Sequence, residues 1–264
     1  DMKTVFTTGE VAQSITAQAP AAYPGQVDRY ERTLVLMTPE PDPPYVLDVF
    51  RVSGGQHHIM AFHGDGQSFD ATLNFSPCDA VPIADAAGAK WLGTPTEAPV
   101  SGPCAAWWGH VEGQPAWTRL TVLDPAAERA WHATAPGQRD YSQPWEERTM
   151  HVLFRRQPGP NAVFVSVVEA VVGQPALAAI ERLRCSDPTV VAVRVERPRG
   201  TDYLFVGDRT SAAAEVTCDE LPGLGFTGRL AVLTLVEGEV AFAQLVDGTS
   251  LRLGALSLTA SGPM

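Results

Sequence analysis

Short runs rich in Val, Leu, Phe and Thr recur along most of the chain, and glycine, proline and aspartate separate them. No long segment has the 3.6-residue periodicity of an amphipathic helix. The clearest runs are RTLVLM (32–37), YVLDVFRV (45–52), HIMAFH (58–63), FDATLNF (69–75), RTMHVLFR (148–155), NAVFVSVVEAV (161–171), TVVAVRVE (189–196) and DYLFVG (202–207). This pattern predicts an all-β fold, a large antiparallel β-sandwich of two sheets.

The C-terminal segment GRLAVLTLVEGEVAFAQLVDGTSLRLGAL has the alternation of an antiparallel meander. Two acidic–glycine pairs interrupt it, Glu237-Gly238 and Asp247-Gly248. Such pairs suit two-residue hairpin turns, because both central residues of the turn need a positive φ. We therefore predict three strands with a turn at each pair.

The chain of 264 residues is long enough for one large all-β domain, and we assign residues 1–264 to a single sandwich. The stretch PCDAVPIADAAGAK is rich in small residues and predicts a soft internal boundary near 76–90. All six tryptophans follow it, within residues 91–145.

The net charge of −11 argues against nucleic acid as a partner, because binding to the phosphate backbone needs a basic surface. No apolar run approaches the ~20 residues of a membrane span, so a membrane partner is not expected either. The four cysteines have no C-x-x-C spacing, which disfavours a cysteine zinc site. They are compatible with two disulfides, in any of three pairings, or with free thiols.

The stretch YVLDVFRVSGGQHHIMAFHG places an aspartate and three histidines inside an apolar pattern. A two-residue hairpin turn at Gly54-Gly55 would set Asp48 opposite Ala61. His63 would then be a diagonal neighbour of Asp48 on the same face, about 7–8 Å away. The spacing predicts that Asp48 and His63 can share a metal ion.

A buried aspartate on a strand has a second interpretation. It often accepts hydrogen bonds from an arginine, and Arg32 and Arg51 are both candidates for Asp48. Zinc generally takes three or four protein ligands, and this stretch supplies two. The sequence leaves both interpretations open.

Aromatic rings stack on sugar faces, which makes the tryptophan-rich region a candidate glycan surface. The alternative is that these large side chains fill the core of a broad sandwich. The candidate substrate-binding residues are Trp107, Trp108, His110 and Trp145.

Several stretches, in order, resemble the C-terminal β-sandwich portion of the heparinase II/III-like polysaccharide lyases. They are YERTLVLM, PYVLDVFRVSGGQHHIMAFHG, FVSVVEAVVGQPALAAIERLR and TDYLFVGD, which cover most of residues 28–207. Ala170 stands where that family usually has proline. The resemblance implies an α/α toroid upstream of the sandwich, as a partner domain outside this chain.

The resemblance also implies a structural zinc, with Asp48 and His63 as ligands and a third ligand outside this chain. It implies cleavage of uronate-containing polysaccharide by β-elimination in a secreted or periplasmic enzyme. No residue of this chain matches the family's catalytic positions, so we expect the chain to be inactive alone. The alternative function is a non-catalytic carbohydrate-binding or structural module.

Overall fold

A computed structural model describes residues 3–66, 68–83, 89–109, 115–124, 128–137, 149–208 and 215–259. Within these ranges the chain forms nineteen strands and two three-residue 3-10 helices, Pro20–Ala22 and Ala89–Trp91. The strands are β1 (Lys3–Thr7), β2 (Ala12–Gln18), β3 (Arg29–Met37), β4 (Tyr45–Ser53), β5 (His57–Asp65), β6 (Ser68–Ala71), β7 (Ser76–Pro77), β8 (Thr96–Pro99), β9 (Cys104–Gly109), β10 (Ala116–Val122), β11 (Arg129–Pro136), β12 (Thr149–Pro158), β13 (Asn161–Val172), β14 (Ala179–Leu183), β15 (Val191–Arg197), β16 (Gly200–Val206), β17 (Gly225–Val236), β18 (Glu239–Leu253) and β19 (Leu256–Thr259). The all-β prediction is confirmed, and each of the eight runs singled out in the sequence overlaps a strand.

The strands form three antiparallel sheets, one more than the two that the sequence predicted. An eight-stranded sheet has the order β1-β2-β3-β4-β13-β10-β9-β6, and a five-stranded sheet has the order β5-β12-β11-β8-β7. The third sheet is a meander of six strands in sequence order, β14 to β19. The predicted C-terminal meander is therefore confirmed, and it starts earlier in the chain than the sequence indicated.

The chain divides into two compact units. The first contains Asp1–Thr4, Ala17–Arg32 and Tyr45–Pro175, and the second contains Val5–Thr16, Thr33–Pro44 and Ala176–Met264. Residues 76–90, where the sequence predicts a soft boundary, lie within the first unit. Among the described residues, no helix is long and apolar enough to cross a bilayer.

The first unit is a sandwich whose two layers share an apolar core. Trp108 on β9, Leu120 on β10 and Leu153 on β12 are fully buried in one cluster, with Phe62 of β5 packed against it. A second cluster lies on the opposite face of the five-stranded sheet. There Trp131, Phe154 and their neighbours pack against Val81, Ile83 and Leu92, which lie between β7 and β8. These three residues therefore cover the outer face of the five-stranded sheet.

The second unit has its own core on the meander. Phe205, Phe226, Ala231, Leu233 and Leu251 have no exposed surface. Each comes from a strand of the same sheet, so the cluster binds β16, β17 and β18 together by apolar burial.

A buried arginine is paired twice within this unit. Arg197 Nη1 donates to Asp42 Oδ2 at 2.6 Å, and its Nε donates to Asp202 Oδ2 at 2.9 Å. Thr234 Oγ1 donates to Asp202 Oδ1 at 2.7 Å. Charge pairing and additional hydrogen bonds make the burial of these ions tolerable.

The two acidic–glycine pairs of the meander have different roles. Glu237 (φ 51°) and Gly238 (φ 85°) form the predicted turn between β17 and β18. Asp247 also has a positive φ of 45°, but it lies inside β18 near a register shift at Thr227 and Gly228. The predicted turn at Asp247-Gly248 is therefore wrong, because the positive φ there belongs to a β-bulge.

The predicted hairpin at Gly54-Gly55 is also wrong. Both glycines have positive φ values, 104° and 78°, so the chain does turn there. However, β4 pairs with β13 in the eight-stranded sheet, whereas β5 pairs with β12 in the five-stranded sheet. The turn carries the chain from one layer of the sandwich to the other and does not pair the strands that flank it.

Candidate functional site

Asp48 forms an ion pair with an arginine. Its side chain is buried, and Arg32 binds both carboxylate oxygens, with Nε 2.9 Å from Oδ1 and Nη2 2.7 Å from Oδ2. Hydrogen bonding to Asp48 is the largest cause of a raised pKa for Arg32. The interpretation of Asp48 as an acceptor for Arg32 is confirmed.

His63 lies on the opposite side of the five-stranded sheet from Asp48. Met60 of β5 packs with Phe50 of β4, so the even positions of β5 face the eight-stranded layer. Asp48 shares the face of β4 with Phe50 and therefore points towards β5. His63 occupies an odd position of β5, is exposed and points away from that layer.

The predicted pairing of Asp48 with His63 is therefore corrected, because it depended on a hairpin that does not form. Across the described ranges, no group of three or more His, Cys, Asp or Glu side chains is placed to hold a metal ion. Zinc binding stays a prediction, without a geometric basis in these two residues.

The tryptophans singled out in the sequence have different environments. Trp108 has no exposed surface, lies 5.0 Å from Phe62 and 5.4 Å from Phe69 between ring centroids, and donates from Nε1 to the His151 carbonyl at 3.0 Å. A glycan cannot contact it, so its predicted role is corrected to that of a core residue. Trp107 is half-buried on the other face of β9. His110 and Trp145 lie outside the described residues.

An open groove of about 250 Å³ lies in the first unit, at the end of the sandwich where the chain passes between its two layers. We call it the aromatic groove. It is lined by Tyr23, Gln26, Val27, Tyr30, Phe50, Val52, Gly54, Gly55, His57, His58, Ile59 and Phe164. Such concave sites with aromatic walls and a few polar groups are typical of small-ligand binding.

Four aromatic rings form a continuous array in the groove. Tyr23 is 47% exposed and its ring centroid lies 5.4 Å from that of Tyr30. Tyr30 meets Phe50 edge-on at 4.8 Å, and Phe50 stacks on Phe164 at 6.2 Å. The array therefore extends from an exposed tyrosine to a phenylalanine in the core, which fixes the orientation of the inner rings.

The outer wall of the groove is the loop between β2 and β3. The amide of Gln26 donates to the Tyr23 carbonyl at 3.1 Å, and the amide of Asp28 donates to the Ser53 carbonyl at 2.8 Å. This loop passes so close to Gly54 that an added Cβ there would lie 2.5 Å from the Gln26 carbonyl oxygen. Glycine at position 54 therefore allows the loop to pack closely on the turn between β4 and β5.

The polar side chains of the groove are two tyrosines, a glutamine and two histidines. Burial, followed by the neighbouring Tyr23, raises the pKa of Tyr30, so its hydroxyl stays protonated at neutral pH. A ring nitrogen of His58, Nε2, lies 3.3 Å from the Pro160 carbonyl, and Gln26 and His57 add further polar atoms. No Asp, Glu, Lys or Arg is among the described residues that line the groove.

A pair of histidines lies elsewhere in the first unit. His132 Nε2 and His151 Nδ1 are 2.9 Å apart, and Phe69 stacks on the His132 ring with centroids 4.1 Å apart. Burial, reinforced by His151, lowers the pKa of His132 to about 4, and burial also lowers the pKa of His151. Both rings are therefore neutral at pH 7 and packed against aromatic neighbours, an arrangement that serves packing.

The aromatic groove was not predicted from the sequence, because the tryptophans were the candidate glycan-binding residues. The available signal was the motif YPGQVDRY, in which two tyrosines flank a Pro-Gly turn. That motif predicts a turn with two aromatic rings near each other, but the phenylalanines below them come from two distant strands. Comparison with protein-family models and with curated proteins finds no match for the chain.

Proposed function

We propose that this chain is a carbohydrate-binding β-sandwich module that binds a sugar ring in the aromatic groove. The observation that carries the proposal is the array of Tyr23, Tyr30, Phe50 and Phe164 beside hydrogen-bonding side chains. The exposed face of Tyr23 offers a stacking surface for the C–H face of a sugar. Gln26 and the hydroxyl of Tyr30 supply hydrogen-bonding partners for sugar hydroxyls.

The lining of the groove favours a neutral sugar over a uronate. Recognition of a carboxylate generally uses an arginine or a lysine, because a charged hydrogen bond compensates for desolvation. The described lining residues contain neither. We therefore expect the groove to prefer a neutral glycan such as a β-glucan or a xylan.

The test is a binding measurement by calorimetry with three soluble polysaccharides, a β-glucan, a xylan and alginate. Tyr23→Ala removes the exposed ring and should weaken binding to the neutral glycan about fivefold, since one stacked ring contributes about 1 kcal/mol. Circular dichroism should be unchanged, because Tyr23 is at the surface.

Trp91→Ala is the matched control. Trp91 is also an exposed aromatic residue, 58% accessible, but it does not line the groove. Its removal should leave glycan affinity unchanged. Equal losses for both variants, or no glycan binding by the wild-type chain, would disprove the proposal.

The second candidate function is the β-sandwich part of a lyase that cleaves uronate-containing polysaccharide. It is supported by the likeness of the strand sequences and by an all-β fold of the expected kind, although one fold serves many functions. An upstream toroid, a structural zinc and a secreted or periplasmic location are part of this proposal. Its test is production of unsaturated uronate from alginate, hyaluronan and heparan sulfate by a protein that carries the upstream toroid.

A further inference from the structure

Two cysteines face each other in the second unit. Cys185 and Cys218 are directly paired in an isolated antiparallel bridge. The amide of Ser186 donates to the Thr217 carbonyl at 2.9 Å, and the amide of Asp219 donates to the Arg184 carbonyl at 3.3 Å. These bonds flank the cysteines on both sides, so the two cysteines are a non-hydrogen-bonded pair.

This type of pair has a spacing that suits a disulfide. Residues opposite each other at a non-hydrogen-bonded position have Cα atoms about 4.5 Å apart, with both side chains on one face. Disulfides span Cα separations of about 4.4–6.8 Å. The two thiols are already within hydrogen-bonding reach of each other. A bond between Cys185 and Cys218 therefore needs little backbone movement.

The surroundings hold both cysteines in place and leave one accessible. Cys218 is 5% exposed and belongs to the core cluster of the meander, and its thiol donates to Glu220 Oε2 at 3.4 Å. Cys185 is only partly buried, at the rim of the same cluster. The Glu220 carboxylate also accepts from the Arg184 amide at 3.2 Å, which fixes the segment next to Cys185.

We propose that Cys185 and Cys218 are a modification site at which a small-molecule disulfide, such as oxidised glutathione, forms a reversible intramolecular disulfide. The Cys185 thiolate attacks one sulfur of the small disulfide, which expels one small thiol and leaves a mixed disulfide at Cys185. The Cys218 thiolate then attacks the Cys185 sulfur and expels the second small thiol. Two protein thiols are oxidised, and one small disulfide is reduced to two thiols.

The exchange should be slow at neutral pH. Burial is the largest cause of a raised pKa at both Cys185 and Cys218, and the Glu220 carboxylate adds to it. Only the thiolate is nucleophilic, so the rate should increase as the pH rises. This rate profile distinguishes the pair from a fast redox sensor with an acidic thiol.

The experiment treats the reduced, folded chain with oxidised glutathione at pH 7 and near pH 8.5, and maps cross-links by mass spectrometry after alkylation of free thiols. We expect a Cys185–Cys218 cross-link that forms faster at the higher pH and is reversed by dithiothreitol. The oxidised protein should also unfold at a higher temperature, by roughly 5 °C or more.

Three variants make the test decisive. Cys185→Ser and Cys218→Ala should each abolish the cross-link and the thermal shift, whereas Cys78→Ser should keep both. The alkylation pattern of the wild-type chain remains informative even where a variant fails to fold. The proposal is overturned if, at exchange equilibrium, Cys185 and Cys218 stay reduced in the folded wild type, or if the cross-link joins Cys78 or Cys104.

Discussion

The paired histidines of the first unit make stability depend on pH in a defined direction. The pKa of His132 is lowered from an ordinary value of 6.5 to about 4 in the folded state. Between these two values the unfolded chain binds a proton that the folded chain does not, so the free energy of unfolding decreases as the pH falls. The loss begins near pH 6.5 and is complete below about pH 4.

We expect His132 to reduce the free energy of unfolding by about 1 kcal/mol between pH 7 and pH 5, because water that reaches the partly exposed ring screens the effect. Urea denaturation at the two pH values measures this difference. His132→Phe keeps an aromatic ring beside Phe69 and should remove the part of the loss that His132 contributes, while the lowered pKa of His151 keeps its own part. His63→Gln is the control, because His63 is exposed, and it should behave like the wild type. Equal pH dependence in all three proteins would contradict the assignment.

Gly64 is required for the packing of Trp108. A Cβ at position 64 would overlap the Trp108 indole ring, which lies in the core and cannot move without breaking its bond to the His151 carbonyl. Gly64→Ala should therefore lower the free energy of unfolding by about 1–3 kcal/mol, the usual cost of overpacking. Gly102→Ala, at a site with open space, should change it by less than about 0.5 kcal/mol. Urea denaturation followed by tryptophan fluorescence measures both.

At the scale of elements, the turn between β4 and β5 contacts the loop that forms the outer wall of the aromatic groove. Gly54→Ala would combine a φ of 104° with a Cβ 2.5 Å from the Gln26 carbonyl oxygen, and should displace the loop that carries Tyr23. We expect a loss of stability of about 1–3 kcal/mol and weaker glycan binding. Calorimetry and denaturation measure the two effects on the same protein.

Gly173→Ala is the control for Gly54→Ala, because its φ of 78° imposes similar backbone strain in open space, away from the groove. It should lose stability and keep full affinity for the glycan. If the two variants bind the glycan equally, the contact between Gly54 and the loop does not shape the groove.

The turn between β4 and β5 also shows which parts of the fold depend only on residues that are neighbours along the chain. The runs of β-forming residues predicted the strands, and Glu237-Gly238 predicted its turn, because both depend on neighbours along the chain. At Gly54-Gly55 the glycines predicted the bend correctly, but the partner of each flanking strand is set by β12 and β13, about 100 residues later. At Asp247-Gly248 an acidic residue followed by glycine forms a β-bulge, because a bulge and a hairpin turn both need a residue with a positive φ.

The candidate site was harder to predict for the same reason. The alternative partner of Asp48, Arg32, could be named from the sequence because charge complementarity limits the choice. The metal pair depended on a strand register that did not form. The aromatic groove combines a loop between β2 and β3 with rings from β4 and β13, and no local pattern brings these three segments together.

At the scale of the whole molecule, the net charge of −11 affects which glycan the chain can bind. The summed field of the protein repels a polyanion, so binding to a polyuronate would need a local cluster of basic residues, and its affinity would fall as salt screens that cluster. The described lining of the aromatic groove contains no lysine or arginine. Ring stacking and hydrogen bonds to a neutral sugar are not screened in this way.

We therefore expect affinity for a neutral glycan to change less than about twofold between ~0.05 M and ~0.5 M sodium chloride. Calorimetry with the β-glucan or xylan across this range measures it, with alginate as the comparison. An affinity for alginate that exceeds that for the neutral glycan and falls about tenfold with salt would place binding at a basic surface. That result would favour the uronate lyase over the neutral carbohydrate-binding module, because the aromatic groove cannot produce such a dependence.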